Sequence, residues 1–232
     1  MFLSGTLLNA ATVLVGGLIG TFLGDRMPAR VRENFIRGAG LFAIAIGLKL
    51  AIDTASPLYP LGSVLLGGLV GASLDLDRRL NELGEWLQRR VGGGRGTVSE
   101  AFVTSTIVFC VGPLTFLGSI QNGLTGDMTL LAIKSALDGF AAIAFAAALG
   151  WGVLLSIAVI LVYQGGLAAG AALFQGLLSE AQLREANAAG GLLLLGVGLR
   201  LLKVRDVGVA DFLPAIVVAP LLVAAATAFA AR

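Results

Sequence analysis

Lys134 and Asp138 stand four residues apart inside an otherwise apolar stretch, 129–149. Residues at i and i+4 are neighbours on a helix surface, so the ammonium and the carboxylate can pair along one face. Asp138 lies nine residues into the stretch, which at 1.5 Å of rise per residue is about 14 Å deep. A charge at that depth in hydrocarbon costs about 2.5–3.5 kcal/mol on insertion scales, and a partner, water or a substrate must offset it. Two readings stand side by side. In one, the pair lines a solute or ion path, with Asp138 binding a cation or proton and Lys134 setting its charge state. In the other, it is a self-neutralised structural pair.

Other polar side chains sit in comparable places. Gln164 falls in the middle of the apolar run 153–174. Gln121 and Asn122 follow the run 101–120, which Gly112-Pro113 interrupts near its centre. Proline removes a donor and clashes with the preceding turn, so a kink or break with freed backbone groups is expected there. Asn9 and Ser135 complete the set of path candidates. Each has a plain alternative as an interhelical hydrogen bond or a capped turn. The chain has no His and one Cys, Cys110, which excludes a disulfide within the chain, a His-ligated metal and a His base. Ser135 adjoins Lys134, but neighbours at i and i+1 do not face each other on a helix. The expectation is therefore no enzyme, no cofactor and no metal.

The elements that must position these residues follow from composition. A chain of 232 residues that is 57% hydrophobic and 13% charged, with mean hydropathy +0.93, lies outside soluble globular usage. Several apolar runs approach the roughly 20 residues needed to cross a bilayer. They lack the alternation of a barrel strand, so helices that satisfy their own backbone are the reading. About eight spans are predicted in an all-α polytopic membrane protein. The start of the chain has no basic leader and runs directly into the first span.

The stretch 31–50, VRENFIRGAGLFAIAIGLKL, returns as 183–201, LREANAAGGLLLLGVGLRL. With one slipped residue they share Arg-Glu, the small pairs Ala39-Gly40 and Gly190-Gly191, and a closing Gly-Leu-(Lys/Arg)-Leu. Upstream, Gly16-Gly17-Leu18 returns as Gly165-Gly166-Leu167. Downstream, Pro60 with its apolar run returns as Pro214 with another. So long a period marks a duplicated half. Spans 1–3 match spans 6–8, five steps apart, which gives the copies opposite directions. The domain reading is a first three-helix repeat (1–75), a basic amphipathic helix and linker (76–96), a central broken-helix pair of spans (97–149), and a second, inverted repeat (150–232). Ser179 and Gln182 have capping-box spacing at the start of the helix that carries span 7.

Basic residues set orientation. With the N-terminus outside, the cytoplasmic segments hold Arg26, Arg30, Arg32 and Arg37, then Arg78, Arg79, Arg89, Arg90 and Arg95, then Arg200, Lys203 and Arg205. That is twelve of the sixteen Lys and Arg, so both termini are expected on the periplasmic or extracellular side. In the polar segment, Leu76, Leu80, Leu83 and Leu87 share one helical face. Trp86 stands beside it, with Arg78, Arg79, Arg89 and Arg90 elsewhere, the pattern of a helix lying at the lipid interface. A soluble hairpin is the alternative. The net charge of +2 carries no signal for nucleic acid.

FCVGPLTFLGSIQNGLTGD (109–127), KSALDG (134–139), VYQGGL (162–167) and GGLLLLGVGLRL (190–201) together resemble the YqgA/YdfK-like family, and the likeness covers essentially the whole chain. The resemblance implies a bacterial inner-membrane protein of the kind often regarded as a transporter. It brings no substrate and no functional residues. Inverted halves around a broken central helix with buried charge form the pattern in which midplane sites and alternating access arise. A secondary transporter or channel for a small solute or ion is the leading expectation. The alternative is a membrane assembly or sensor protein whose basic helix and glycine stripes bind lipids or partner helices. Those stripes also provide close-packing surface for a homodimer.

Overall fold

The computed structural model describes residues 3–79, 81–82, 86, 98–110, 113–171 and 179–230. Its helices are α1 (Ser4–Arg26), α2 (Ala29–Ile52), α3 (Leu58–Ser73), α4 (Val98–Cys110), α5 (Pro113–Thr125), α6 (Thr129–Leu149), α7 (Ser156–Ala169), α8 (Glu180–Leu201) and α9 (Ala215–Ala230). Short 3-10 turns at Trp151–Leu155 and Val209–Phe212 lead into α7 and α9. Among the described residues there is no strand. The elements gather into two compact units, Met1–Ala39 with Asn81–Gln175, and Gly40–Leu80 with Gly176–Arg232.

In the first unit, the buried face of α1 is made almost wholly of small residues, including Gly5, Thr6, Asn9, Ala10, Gly16, Gly20 and Gly24. This lets α6 approach backbone to backbone. A Cβ at Gly16, Gly20 or Gly24 would strike the carbonyl of Gly139, Ile143 or Ala147 in turn. The two sets of numbers rise together, so α1 and α6 run parallel. The stretch Trp151–Ala169 runs the other way along α1: Gly17 faces Leu154, while a Cβ at Gly165 would lie 3.8 Å from Leu3 and 3.9 Å from Thr6. The axes of α4 and α5 are bent by 75°. Pro113 opens α5 and has no N–H to give the carbonyl of Phe109, one turn back. The hydroxyl of Thr115 donates to that carbonyl instead, at 3.4 Å.

The second unit is built on two antiparallel crossings, again through glycine. A Cβ at Gly47 would come within 2.7 Å of the Gly191 carbonyl oxygen, and one at Gly198 within 2.8 Å of the Gly40 oxygen. In the aligned stretches 31–50 and 183–201, Gly40 stands opposite Gly191 and Gly47 opposite Gly198, so each stretch offers its first glycine to the other's second. Helices α3 and α9 cross likewise, with Gly67 against Ala215 and Gly71 against Asp211. The start of α8 carries the expected capping box: Ser179 N–H donates to Gln182 Oε1 at 2.7 Å, and Gln182 N–H to Ser179 Oγ at 3.2 Å. Glu185, 1% exposed, accepts from the Thr54 hydroxyl and, at 2.7 Å, from Ala55 N–H. It thereby ties down the α2–α3 loop.

By length and apolarity, four stretches among the described residues can cross a membrane: α1, α6, Trp151–Ala169 and Val209–Phe229. The bent α4–α5 pair, taken as one span, makes a fifth. The count of eight goes beyond this for identifiable reasons. Helix α3 has 16 residues, about 24 Å of rise. Helix α8 spends its first two turns on Glu180, Arg184, Glu185 and Asn187, and α2 opens on Arg30, Arg32, Glu33 and Arg37.

Two outcomes are expected in thermal unfolding in detergent. Gly47→Ala should lower Tm, because the two nearest neighbours of the new methyl are backbone atoms, of Gly191 and Leu195, and overpacking typically costs about 1–3 kcal/mol. Gly38→Ala on the same helix meets nothing within 4 Å and should raise Tm slightly, by the roughly 0.5–1 kcal/mol that Ala gains over Gly in a helix. Separately, Glu185→Ala should destabilise by about 1–3 kcal/mol, since it strips Thr54 and Ala55 of their acceptor. Glu185→Gln, which keeps an acceptor oxygen, should cost less. A Tm for Glu185→Ala equal to that of the parent would refute the clamp.

Candidate functional site

The buried face of α6 repeats every three or four residues through Leu131, Lys134, Ser135, Asp138, Ala142 and Phe145. That period puts Lys134 and Asp138 inward, at 5% and 6% exposure. The Lys134 ammonium bonds Asp138 Oδ2 directly. The same oxygen accepts from Asn9 Nδ2 of α1 at 3.0 Å. A buried ion pair persists where its charges compensate and extra hydrogen bonds finish the coordination. Here Asn9 supplies that bond, and the glycine stripe on α1 brings its short side chain within reach. Ser135, also buried, spends its hydroxyl on the Leu131 carbonyl of its own helix, at 2.6 Å. These three predicted residues, with Asn9, therefore meet at one place.

Gln164 is fully buried on the inner face of α7 with Ile160, Leu167 and Ala168. Both atoms of its amide lack a hydrogen-bond partner. The Asn9 Oδ1 and the buried Thr6 hydroxyl are in the same condition. Thr6 precedes Asn9 by one turn on the same face of α1, and a Cβ at Gly165, which follows Gln164 in the chain, would lie 3.9 Å from Thr6. Thr6 is a member of this polar group that reading the sequence missed. Its i, i+3 spacing to Asn9 was the available signal. An open groove of about 380 Å³ runs between α1 and α6 beside this group, walled by Thr12, Gly16, Ser135, Gly139 and Phe140 among others. Its lining is apolar.

Gln121 and Asn122 are engaged elsewhere. Asn122 Oδ1 accepts from Gly5 N–H at 3.1 Å and its amide donates to Ser4 Oγ and the Gly126 carbonyl, each at 3.2 Å. It thus caps the start of α1 and the end of α5 together. Gln121 Nε2 donates to Asp127 Oδ2 at 2.7 Å in the exposed α5–α6 turn. Bonds from the Thr129 hydroxyl and N–H, with that of Gln121, hold the Asp127 carboxyl below its ordinary range. Pro113 opens α5, while Gly112 lies outside the described residues. Of the interfacial set, Arg78 is exposed and pairs with Asp75 at 3.0 Å, and Arg79 and Trp86 are exposed. Arg89 and Arg90 lie outside the described residues.

The chain matches a known family along nearly its whole length. The family model described as "Protein of unknown function (DUF554)" matches residues 4–224. An Escherichia coli (strain K12) relative named "Uncharacterized protein YqgA" is 33% identical over 97% of this chain and 98% of its own. The Bacillus subtilis (strain 168) "Uncharacterized membrane protein YdfK" is 25% identical over 98% of this chain and 99% of its own. No solved structure matches. Matched end to end by that family model and by relatives of its own length, the protein belongs to the DUF554 family of proteins of unknown function.

Proposed function

We propose that this protein is a carrier or channel for a small solute or ion in the bacterial inner membrane, acting without enzyme chemistry. Its site is the polar group of α1, α6 and α7 beside the α4–α5 break. The observation that carries the reading is a buried Lys134–Asp138 pair tied to Asn9, whose own Oδ1 has no partner, in a unit that also buries the unpartnered amide of Gln164. An ion pair kept only for packing would be surrounded by satisfied groups. Unpartnered polar atoms beside it fit a place that something else occupies.

Helix directions support eight crossings in two inverted halves. The three pairs matched by the sequence repeat, α1 with α7, α2 with α8 and α3 with α9, each cross antiparallel, as copies five crossings apart require. The parallel contact of α1 with α6 suits the first and fifth crossings, provided the bent α4–α5 pair counts as one. With the basic residues cytoplasmic, both termini lie outside. The second reading, a lipid- or partner-binding assembly protein, rests on the exposed Arg78, Arg79 and Trp86.

Reconstitution into proteoliposomes tests the proposal, using solid-supported-membrane currents for ions and stopped-flow light scattering for uncharged solutes. Asp138→Asn should abolish the flux that the parent protein supports. Flux unchanged in that variant would sink the assignment, and flux lost only on replacing Arg78 and Arg79 would favour the assembly reading. Stability should separate pairing from transport. Lys134→Met or Asp138→Leu alone strands a buried charge and should cost about 3–5 kcal/mol. The double variant should recover most of that Tm while remaining inactive.

A further inference from the structure

The buried polar group of the first unit has a charge balance that constrains its ligand. Lys134 and Asp138 are the only buried charged side chains of this unit among the described residues, and they cancel. A bare ion entering there would meet no uncompensated countercharge, and a charge deep in hydrocarbon is costly without one. What the group does offer is uncharged: the Gln164 amide as donor and acceptor, the Asn9 carbonyl oxygen as acceptor, and the Thr6 hydroxyl as either. All three residues are at most 1% exposed. Thr6 and Asn9 lie one turn apart on α1, and a Cβ at Gly165, the chain neighbour of Gln164, would lie 3.9 Å from the Thr6 side chain. Buried polar atoms are rarely left unbonded, and where they are, a water or ligand is the usual occupant.

We infer that the ligand of this site is a small uncharged solute carrying both hydrogen-bond donors and acceptors, of the polyol or amide class, held by Gln164, Thr6 and Asn9. The inference rests on the transport reading above and specifies its substrate. The ion pair serves as a neutral, oriented wall that keeps Asn9 turned toward the site through its bond to Asp138. Gln164 is the specificity residue, because its amide offers a separate donor and a separate acceptor and neither is bonded within the protein. Replacing that amide with an isosteric hydrocarbon removes the ligand's partners without removing any bond within the protein.

Urea and glycerol are the probes, with sodium, potassium and chloride currents measured on the same proteoliposomes. Influx of at least one of the two uncharged probes should exceed that of protein-free vesicles by about tenfold or more, and Gln164→Leu should return it to the protein-free level, as expected when a site loses its hydrogen bonds to a solute. Thr6→Val should reduce it in the same direction. The ion currents should stay at background. Gln164→Leu should also unfold at a Tm equal to or above that of the parent, because an amide without partners costs stability. A fall of more than about 3 °C would mean the amide has a structural partner, and would overturn the inference. Water permeation alone, or urea and glycerol flux indifferent to Gln164→Leu, would overturn it too. Ion current that Asp138→Asn stops, with no uncharged flux, would overturn this inference while leaving the transport reading standing. Absence of all flux would overturn both.

Discussion

Backbone-to-backbone approach through glycine is the constraint on which the rest of this fold depends. Hydrocarbon supplies no hydrophobic driving force between helices, so association rests on close van der Waals contact and on polar bonds across the seam. Gly16, Gly20 and Gly24 bring α1 onto the carbonyls of α6. Gly40, Gly47, Gly191 and Gly198 do the same for α2 and α8. At such separations Cα–H groups can also contact facing carbonyls, each a weak bond that becomes useful in number. The seams consequently tolerate almost no added atoms, while the outward faces are free to carry Leu7, Phe22, Leu69 and Phe140, all exposed.

The polar group exists because of that closeness. Asn9 has a short side chain, and it reaches Asp138 only where its helix backbone nearly touches α6. The bond completes an ion pair that would otherwise be hard to sustain in a low-dielectric interior. Had α1 carried leucines in place of its glycines, the same Lys134 and Asp138 would face a gap and one acceptor would go unfilled. The chemistry of the site is thus a consequence of packing.

Much of this was legible in the residues. The i, i+4 pair, the glycine stripe and the capping box at Ser179 are local patterns, and helix periodicity carries each directly into three dimensions. What was not legible depended on contacts between distant segments. Asn122 looked like a solute ligand by composition, yet its bonds to Ser4 and Gly5, 118 and 117 residues away, make it a cap. Thr6 went unnoticed because a threonine in an apolar helix ordinarily returns its hydroxyl to its own backbone, as Thr21 does to Gly17. Only the packed structure leaves the Thr6 hydroxyl without that outlet. The number of spans was also harder to read than their existence. Hydropathy alone does not tell whether a helix such as α8, polar at its start and apolar afterwards, crosses a membrane.

The two matching stretches of sequence share their glycines and differ in their polar residues, and the differences have structural consequences. Val15 and Gln164 occupy corresponding positions just before the paired glycines. Val15 is 56% exposed on the groove, whereas Gln164 is wholly buried with an unsatisfied amide. Glu33 and Glu185 likewise correspond. Glu33 pairs with Arg37 on an exposed helix surface at 2.9 Å, whereas Glu185 is buried and ties down a loop. Glycine at a crossing must match its counterpart, because each serves as the other's contact surface and a change on one side deforms both. A polar side chain off the crossing is under no such obligation. Differences between the two stretches are therefore free to collect in the polar positions, two of which, Gln164 and Glu185, are buried.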